Sequence, residues 1–267
     1  MIWDWLLPYL ALGIFAGFFA GLFGVGGGLM IVPLLLMVFT AQGFPLEHQM
    51  HLALGTAMSG IMLTSISSMR AHHRHGAVRW DVVRAFAPGL LSGTLAGATL
   101  AATIPTRPLA AAFALIVCYA SASMLFDRKP KPSRQLPGPA GLFAVGSGIG
   151  IVSSLVAAGG GFLSIPFMVW CNVAMHQAVG TSAALGLPIA IAGAVGYVLG
   201  GLGEPNLPAY SLGYVYLPGL AGIVAMSVLF APVGAKLAHR LPVKPLKRGF
   251  GVFLAAMALQ MLYRLLA

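Results

Sequence analysis

Four motifs occur twice in this chain, in the same order. Gly26-Gly27-Gly28 followed by Pro33 returns as Gly159-Gly160-Gly161 followed by Pro166. His51-x-Ala53-x-Gly55-Thr56 returns as His176-x-Ala178-x-Gly180-Thr181. Pro88-Gly89 returns as Pro218-Gly219, and Pro105-x-Arg107-Pro108-Leu109 with Phe113 after it returns as Pro242-x-Lys244-Pro245-Leu246 with Phe250 after it. The second copy of each lies 125 to 137 residues beyond the first. The fold is therefore expected to be two copies of one module. An apolar chain duplicated in this way, with a glycine-broken segment at the same place in each half, carries the sequence signature of a secondary transporter.

Composition fixes the solvent. Of 267 residues 59% are hydrophobic and 7% charged, and the mean hydropathy is +0.92. A soluble domain of this size could not bury that much apolar surface, and several stretches approach or exceed the roughly 20 residues that cross a bilayer. A transmembrane barrel would show short alternating segments instead. The net charge of +10 does not point to nucleic acid, because thirteen of the fifteen Lys and Arg lie in three short connections, Arg70 to Arg84, Arg128 to Arg134 and Lys236 to Arg248. Such clustering is the positive-inside pattern and puts these connections in the cytoplasm. Cys118 and Cys171 sit in apolar runs and read as small hydrophobes, with no disulfide or metal spacing. The N-terminal apolar run lacks a basic leader and runs on into the glycine motif, so it reads as a first membrane helix.

Each half divides alike. A long glycine-broken stretch comes first (residues 5–41 and 138–174), then three spans near 49–70, 82–103 and 108–126 or 177–200, 212–235 and 246–265. The basic, proline-rich segment from Asp127 to Pro139 joins them. Loop charge orients the halves: Arg70–Arg84 is basic, whereas its counterpart Gly200–Ser211 has no Lys or Arg and carries Glu204. Thr103–Pro108 holds only Arg107, whereas its counterpart Lys236–Arg248 holds five basic residues. Equivalent loops thus fall on opposite sides, and the halves are expected to be inverted. Inversion needs an odd number of crossings per half. Each broken stretch should then be a hairpin that enters and leaves on one side, turning at Gly24–Gly28 and near Gly159–Gly161, with a second arm too short to span. The expected fold is an all-α polytopic membrane protein of two inverted-topology repeats, each a glycine-broken helical hairpin plus three transmembrane helices. Its parts are residues 1–126, a cytoplasmic linker at 127–139, and 140–267, with both termini outside.

Three consecutive glycines are costly within a helix, and irregular backbone at membrane depth is tolerated only inside protein or beside water. Glycines admit close approach of a ligand, and the helix that follows presents free amides and a partial positive charge. Gly26, Gly27, Gly28, Gly159, Gly160 and Gly161 are therefore candidate binding residues for a small anion, with a plain tight turn as the alternative. Thr56, Thr181 and Ser182 are candidates to complete that site. His51 and His176 are candidates for proton coupling or, equally, interface or carbonyl-bonded histidines. Asn172 is a weaker candidate, and His72, His73 and His75 read as a solvated loop. Gly13, Gly17 and Gly21 share one helix face at the four-residue spacing of helix packing. The five acids, Asp4, Glu47, Asp81, Asp127 and Glu204, all fall in loops or at span ends. That disfavours a metal-cation carrier, and no metal or cofactor site is expected.

With its paired Gly-rich motifs and paired His-x-Ala-x-Gly-Thr segments, the chain resembles the TauE/SafE sulfite-exporter family along essentially its whole length. That resemblance implies a non-enzymatic exporter of a small sulfur-containing anion, such as sulfite, sulfoacetate or a related organosulfonate, in a bacterial inner membrane. Proton coupling is the expected energy source. The expected partners are the anion and the bilayer, with a homodimer left open. Two rivals stand beside this reading: a passive anion channel on the same scaffold, and an intramembrane serine hydrolase using Ser147 and His176.

Overall fold

A computed structural model describes residues 5–23, 27–126, 133–238, 240 and 243–266. The described residues are all-α apart from one β-hairpin of two-residue strands. The helices are α1 (Leu6–Phe23), α2 (Gly28–Ala41), α3 (Gln49–Arg74), α4 (Trp80–Thr103), α5 (Thr106–Leu125), α6 (Pro139–Val156), α7 (Gly161–Trp170), α8 (Met175–Gly201), α9 (Leu217–Ala238) and α10 (Val243–Leu266). β1 (Ser211–Leu212) pairs antiparallel with β2 (Val215–Tyr216) just before α9. Among the described residues seven helices, α1, α3, α4, α5, α6, α8 and α9, are long and apolar enough to cross a membrane.

Both glycine-broken stretches are hairpins. Gly27 packs on the carbonyl of Ala16, halfway along α1, and at the far end of α2 Gln42 accepts a 2.8 Å hydrogen bond from the Tyr9 hydroxyl. α2 therefore returns along α1 toward its starting side. In the second half, the Trp170 carbonyl that ends α7 accepts the amides of Ser133 and Arg134, just ahead of α6. The second arms have 14 and 10 residues, about 21 and 15 Å of helix, short of a roughly 30 Å core. Each carries a proline at its sixth residue, Pro33 and Pro166.

Small residues set the packing of the long helices. A Cβ on Gly13, Gly17 or Gly21 would overlap the carbonyl of Ile223, Ser227 or Ala231, so α1 and α9 run parallel at close backbone approach, as the glycine spacing predicts. Gly89 and Gly93 of α4 meet the carbonyls of Phe143 and Ser147 of α6 in the same manner. α4 and α6 are thus parallel too. α3 and α8, the two His-x-Ala-x-Gly-Thr helices, pack against each other head to tail: Met58 meets Gly193, and Ser65 meets Gly186. Two copies of one motif lie antiparallel at the centre of the molecule.

Three expectations are corrected. The span placed at 212–235 begins instead at Leu217, because residues 211–216 form the β-hairpin. For the same reason Pro88-Gly89 and Pro218-Gly219 are not structural equivalents: Pro88 is the ninth residue of α4 and Pro218 the second of α9. α4 and α9 open 137 residues apart, at Trp80 and Leu217, so the hairpin takes the place of residues 74–79 ahead of α4, and Gly97 and Gly234, which pack on α6 and α1 respectively, are the better match. His72 is not in a solvated loop. α3 continues to Arg74, and the His72 side chain is wholly buried.

Candidate functional site

The breaks in both hairpins are built by left-handed glycines. Gly27 (φ +76°) and Gly160 (φ +80°) are the N-caps of α2 and α7, a conformation that a side chain would strain. Ala157, the C-cap of α6, is also left-handed at φ +46°. At the start of α2 the first amides bonded back to the cap are those of Met30 and Ile31, which donate to the Gly27 carbonyl at 3.1 Å. In α7 they are those of Leu163 and Ser164, donating to Gly160 at 3.1 and 2.8 Å. The amides ahead of them are the ordinary donors of a helix N-terminus. The turns touch: a Cβ on Gly28 would overlap the Ala157 carbonyl. Two helix N-termini are therefore brought together at the level of Ala16 in α1 and Ile189 in α8. Gly26 lies outside the described residues.

Around the second turn sits a group of hydroxyls. Ser164, in the first turn of α7, donates a 3.0 Å hydrogen bond to Ser182 of α8, and both are fully buried. Ser65 reaches across from α3: a Cβ on Gly186 would stand 2.8 Å from its hydroxyl and 3.1 Å from the Gly159 carbonyl. Ser164 and Ser65 were not among the residues picked from sequence. Ser164 stands three residues past the repeated Gly161, at a position occupied by Ile31 in the first copy, so motif matching passes over it.

Thr56 and Thr181 lie elsewhere, at two equivalent seams. Thr56 accepts the backbone amide of Tyr216 at 2.9 Å, while Gly55 beside it packs on the Tyr214 carbonyl. Thr181 accepts the amide of Arg79 at 3.0 Å, while Gly180 packs on the Ala77 carbonyl. Each Gly-Thr pair of one half thus receives the segment leading into a long helix of the other, α9 or α4. Glycine gives the close approach, and threonine satisfies an amide that would be costly if buried unpaired.

The repeat-related histidines part company. His51 is buried, its Nε2 3.0 Å from the Ile104 carbonyl and 3.3 Å from that of Ala101 at the end of α4, with its ring stacked on Tyr214. His176 is exposed at the start of α8. Tyr214, in the turn between the strands, has its phenol pushed above the usual range by burial and by the charge of Glu204. Asn172 is exposed at φ +66°, a turn residue after α7. Ser147 is half-buried on α6 and donates to the Phe143 carbonyl.

A second matched pair escaped sequence reading. His72 Nε2 lies 3.0 Å from the Gly21 carbonyl, and the Tyr197 hydroxyl donates to the Ser154 carbonyl at 2.9 Å. His72 and Tyr197 are 125 residues apart, as His51 and His176 are, and Gly21 and Ser154 are 133 apart, as the glycine triplets are. A ring from the third helix of each half thus ties down the last turn before the break. The residue types differ, so no motif announces it. Tyr197→Phe should lower stability by about 1–2 kcal/mol, since it leaves that carbonyl one partner fewer in a buried setting. A thermal melt of the purified variant checks this, and an unchanged melt would remove the tie from the account.

An apolar, helix-built chain that crosses the bilayer several times, with irregular backbone held inside the protein, belongs to the class of polytopic membrane transporters. The chain is a member of the TauE/SafE sulfite-exporter family, whose model matches residues 9–261. It is similar to a probable membrane transporter protein of Haemophilus influenzae, 35% identical over 261 residues, 97% of this chain and 99% of that one. Similar proteins also called probable membrane transporters occur in Bacillus subtilis (YdhB, 26% identical over 91% of this chain and 92% of that one) and in Methanocaldococcus jannaschii (26% identical over 96% of each). No solved structure gives a significant match. The family is one of exporters and these relatives are called probable membrane transporters, which leaves the hydrolase alternative at Ser147 without support.

Proposed function

We propose that this transporter exports a small sulfur-containing anion, sulfite or an organosulfonate such as sulfoacetate, across a bacterial inner membrane, coupled to protons. The observation that carries the reading is the meeting of two glycine-capped helix N-termini, those of α2 and α7, inside an otherwise apolar protein. Paired N-termini favour negative charge, and discontinuous helices of this kind form the substrate sites of many secondary transporters. Gly27, Gly28, Gly159, Gly160 and Gly161 would hold the anion, with Ser182 close by. Thr56 and Thr181 would act at one remove, by fixing the segments that enter α9 and α4. Of the two candidates for proton coupling, His176 is exposed, whereas the carbonyls and aromatic ring around His51 match the structural alternative. The antiparallel packing of α3 on α8 supports the inverted-repeat reading, in which alternating access rocks one half against the other. The basic connections support a cytoplasmic linker and outward-facing termini.

Proteoliposomes should take up labelled sulfite or sulfoacetate saturably, with counterflow by unlabelled anion. Gly27→Leu and Gly160→Leu should each abolish the flux. Flux that never saturates would favour the channel alternative, and unaltered flux in both variants would remove the glycine turns from the site.

A further inference from the structure

The two turns are alike in backbone but not in what surrounds them. Beside the second turn stand Ser164 and Ser182, bonded to each other, and Ser65 across from Gly186. Ser68 lies one turn along α3 from Ser65, on the face packed against α8, 97% buried and without a hydrogen-bond partner for its hydroxyl. Ser153, whose carbonyl accepts the Ala158 amide at the foot of the turn, has a second such hydroxyl and is 99% buried. At the spacings that relate the halves, the counterparts of these five are apolar or bare. Ile31 stands for Ser164, Ala57 for Ser182, Ala190 for Ser65, Gly193 for Ser68 and Ala20 for Ser153. Unpaired buried hydroxyls are costly unless something else bonds them, and that of Ser68 stands on the same face of α3 as Ser65, which reaches the second turn.

Charge narrows what they would hold. Lys and Arg lie in the connections or near the ends of helices, and the donors at the turn are hydroxyls and amides, all neutral. The cost of moving an ion out of water rises with the square of its charge in the Born picture, so a site without a neutralising cation strongly disfavours a dianion. We propose that the substrate sits on one side of the paired turns, at the second, held by Ser65, Ser68, Ser164 and Ser182 with the N-terminal amides of α7. We propose further that this site takes a singly charged oxyanion, hydrogen sulfite or a simple alkylsulfonate, in preference to the dianion sulfate, which narrows the substrates named above and ranks the doubly charged sulfoacetate below them. The inference rests on the anion-transporter reading above and gives it a substrate charge. Hydrogen sulfite would also carry its own proton.

The test is thermal stabilisation of the purified full-length protein by methanesulfonate and by sulfate, each protein compared with its own ligand-free melt. Methanesulfonate should stabilise the parent at concentrations at least tenfold below sulfate. Ser164→Ala and Ser182→Ala should each weaken methanesulfonate by about ten- to a hundredfold, the loss expected for one hydrogen bond to a charged group. Ser59→Ala, which removes a buried serine bonded to the Gly55 carbonyl away from the turn, should leave it unchanged. Equal response to Ser59→Ala and Ser164→Ala, or none to Ser164→Ala and Ser182→Ala, would overturn the one-sided site while leaving the anion reading intact. Sulfate binding as tightly as methanesulfonate would overturn the charge selection. No stabilisation by any anion, together with no flux in vesicles, would defeat the anion-transporter reading itself.

Discussion

Gly28→Ala should cost this protein most of its folded yield. The added methyl group falls on the Ala157 carbonyl, which belongs to the backbone of the opposite turn and has no rotamer through which to yield. Overpacking a well-fitted interior costs about 1–3 kcal/mol when side chains can give way. Against fixed backbone we expect about 3 kcal/mol or more, enough to exhaust much of a typical margin. Gly148→Ala is the matched control. Gly148 has open space around it in α6, so alanine there should be neutral or gain up to about 1 kcal/mol of helix propensity. Size-exclusion profiles and melts in detergent compare the two. If Gly28→Ala purifies and melts like the parent, the turns are not in contact and the site has no frame.

Thr56→Val and Thr181→Val should each destabilise by about 1–3 kcal/mol, and together by roughly the sum, because the two seams share no partner. Valine keeps the shape of threonine and removes the oxygen that accepts the amide of Tyr216 or Arg79. Serine keeps the oxygen, so Thr56→Ser and Thr181→Ser should retain most of the stability. The serine–valine contrast separates this seam role from simple packing. Valine variants as stable as their serine counterparts would rule it out.

Much of the architecture was legible because glycine and charge are local signals. The triplets at Gly26–Gly28 and Gly159–Gly161 announced helix breaks, and α1 ends at Phe23 and α6 at Val156 as that required. The face of Gly13, Gly17 and Gly21 announced the close packing that α9 provides. The site was less legible, for two physical reasons. Repetition draws attention to residues that match, whereas the hydroxyls at Ser65, Ser164 and Ser153 matter because their counterparts do not. A short motif also does not reveal its partner. Gly55-Thr56 and Gly180-Thr181 grip segments 160 and 102 residues away in sequence, a relation that only the folded chain displays. The β-hairpin at 211–216 escaped because Ser211–Tyr216 is apolar enough to read as the start of a span.

The central claim is that two copies of one module lie upside down to each other, so that their glycine turns meet. Sidedness of equivalent loops tests it most directly. The two cysteines, both free, are replaced by alanine, and single cysteines are introduced as His75→Cys, after α3, and Glu204→Cys, after α8, both at exposed positions. In right-side-out membrane vesicles an impermeant maleimide should label the Glu204→Cys protein at once and the His75→Cys protein only after the membrane is opened. Labelling of both from the same side would contradict the account.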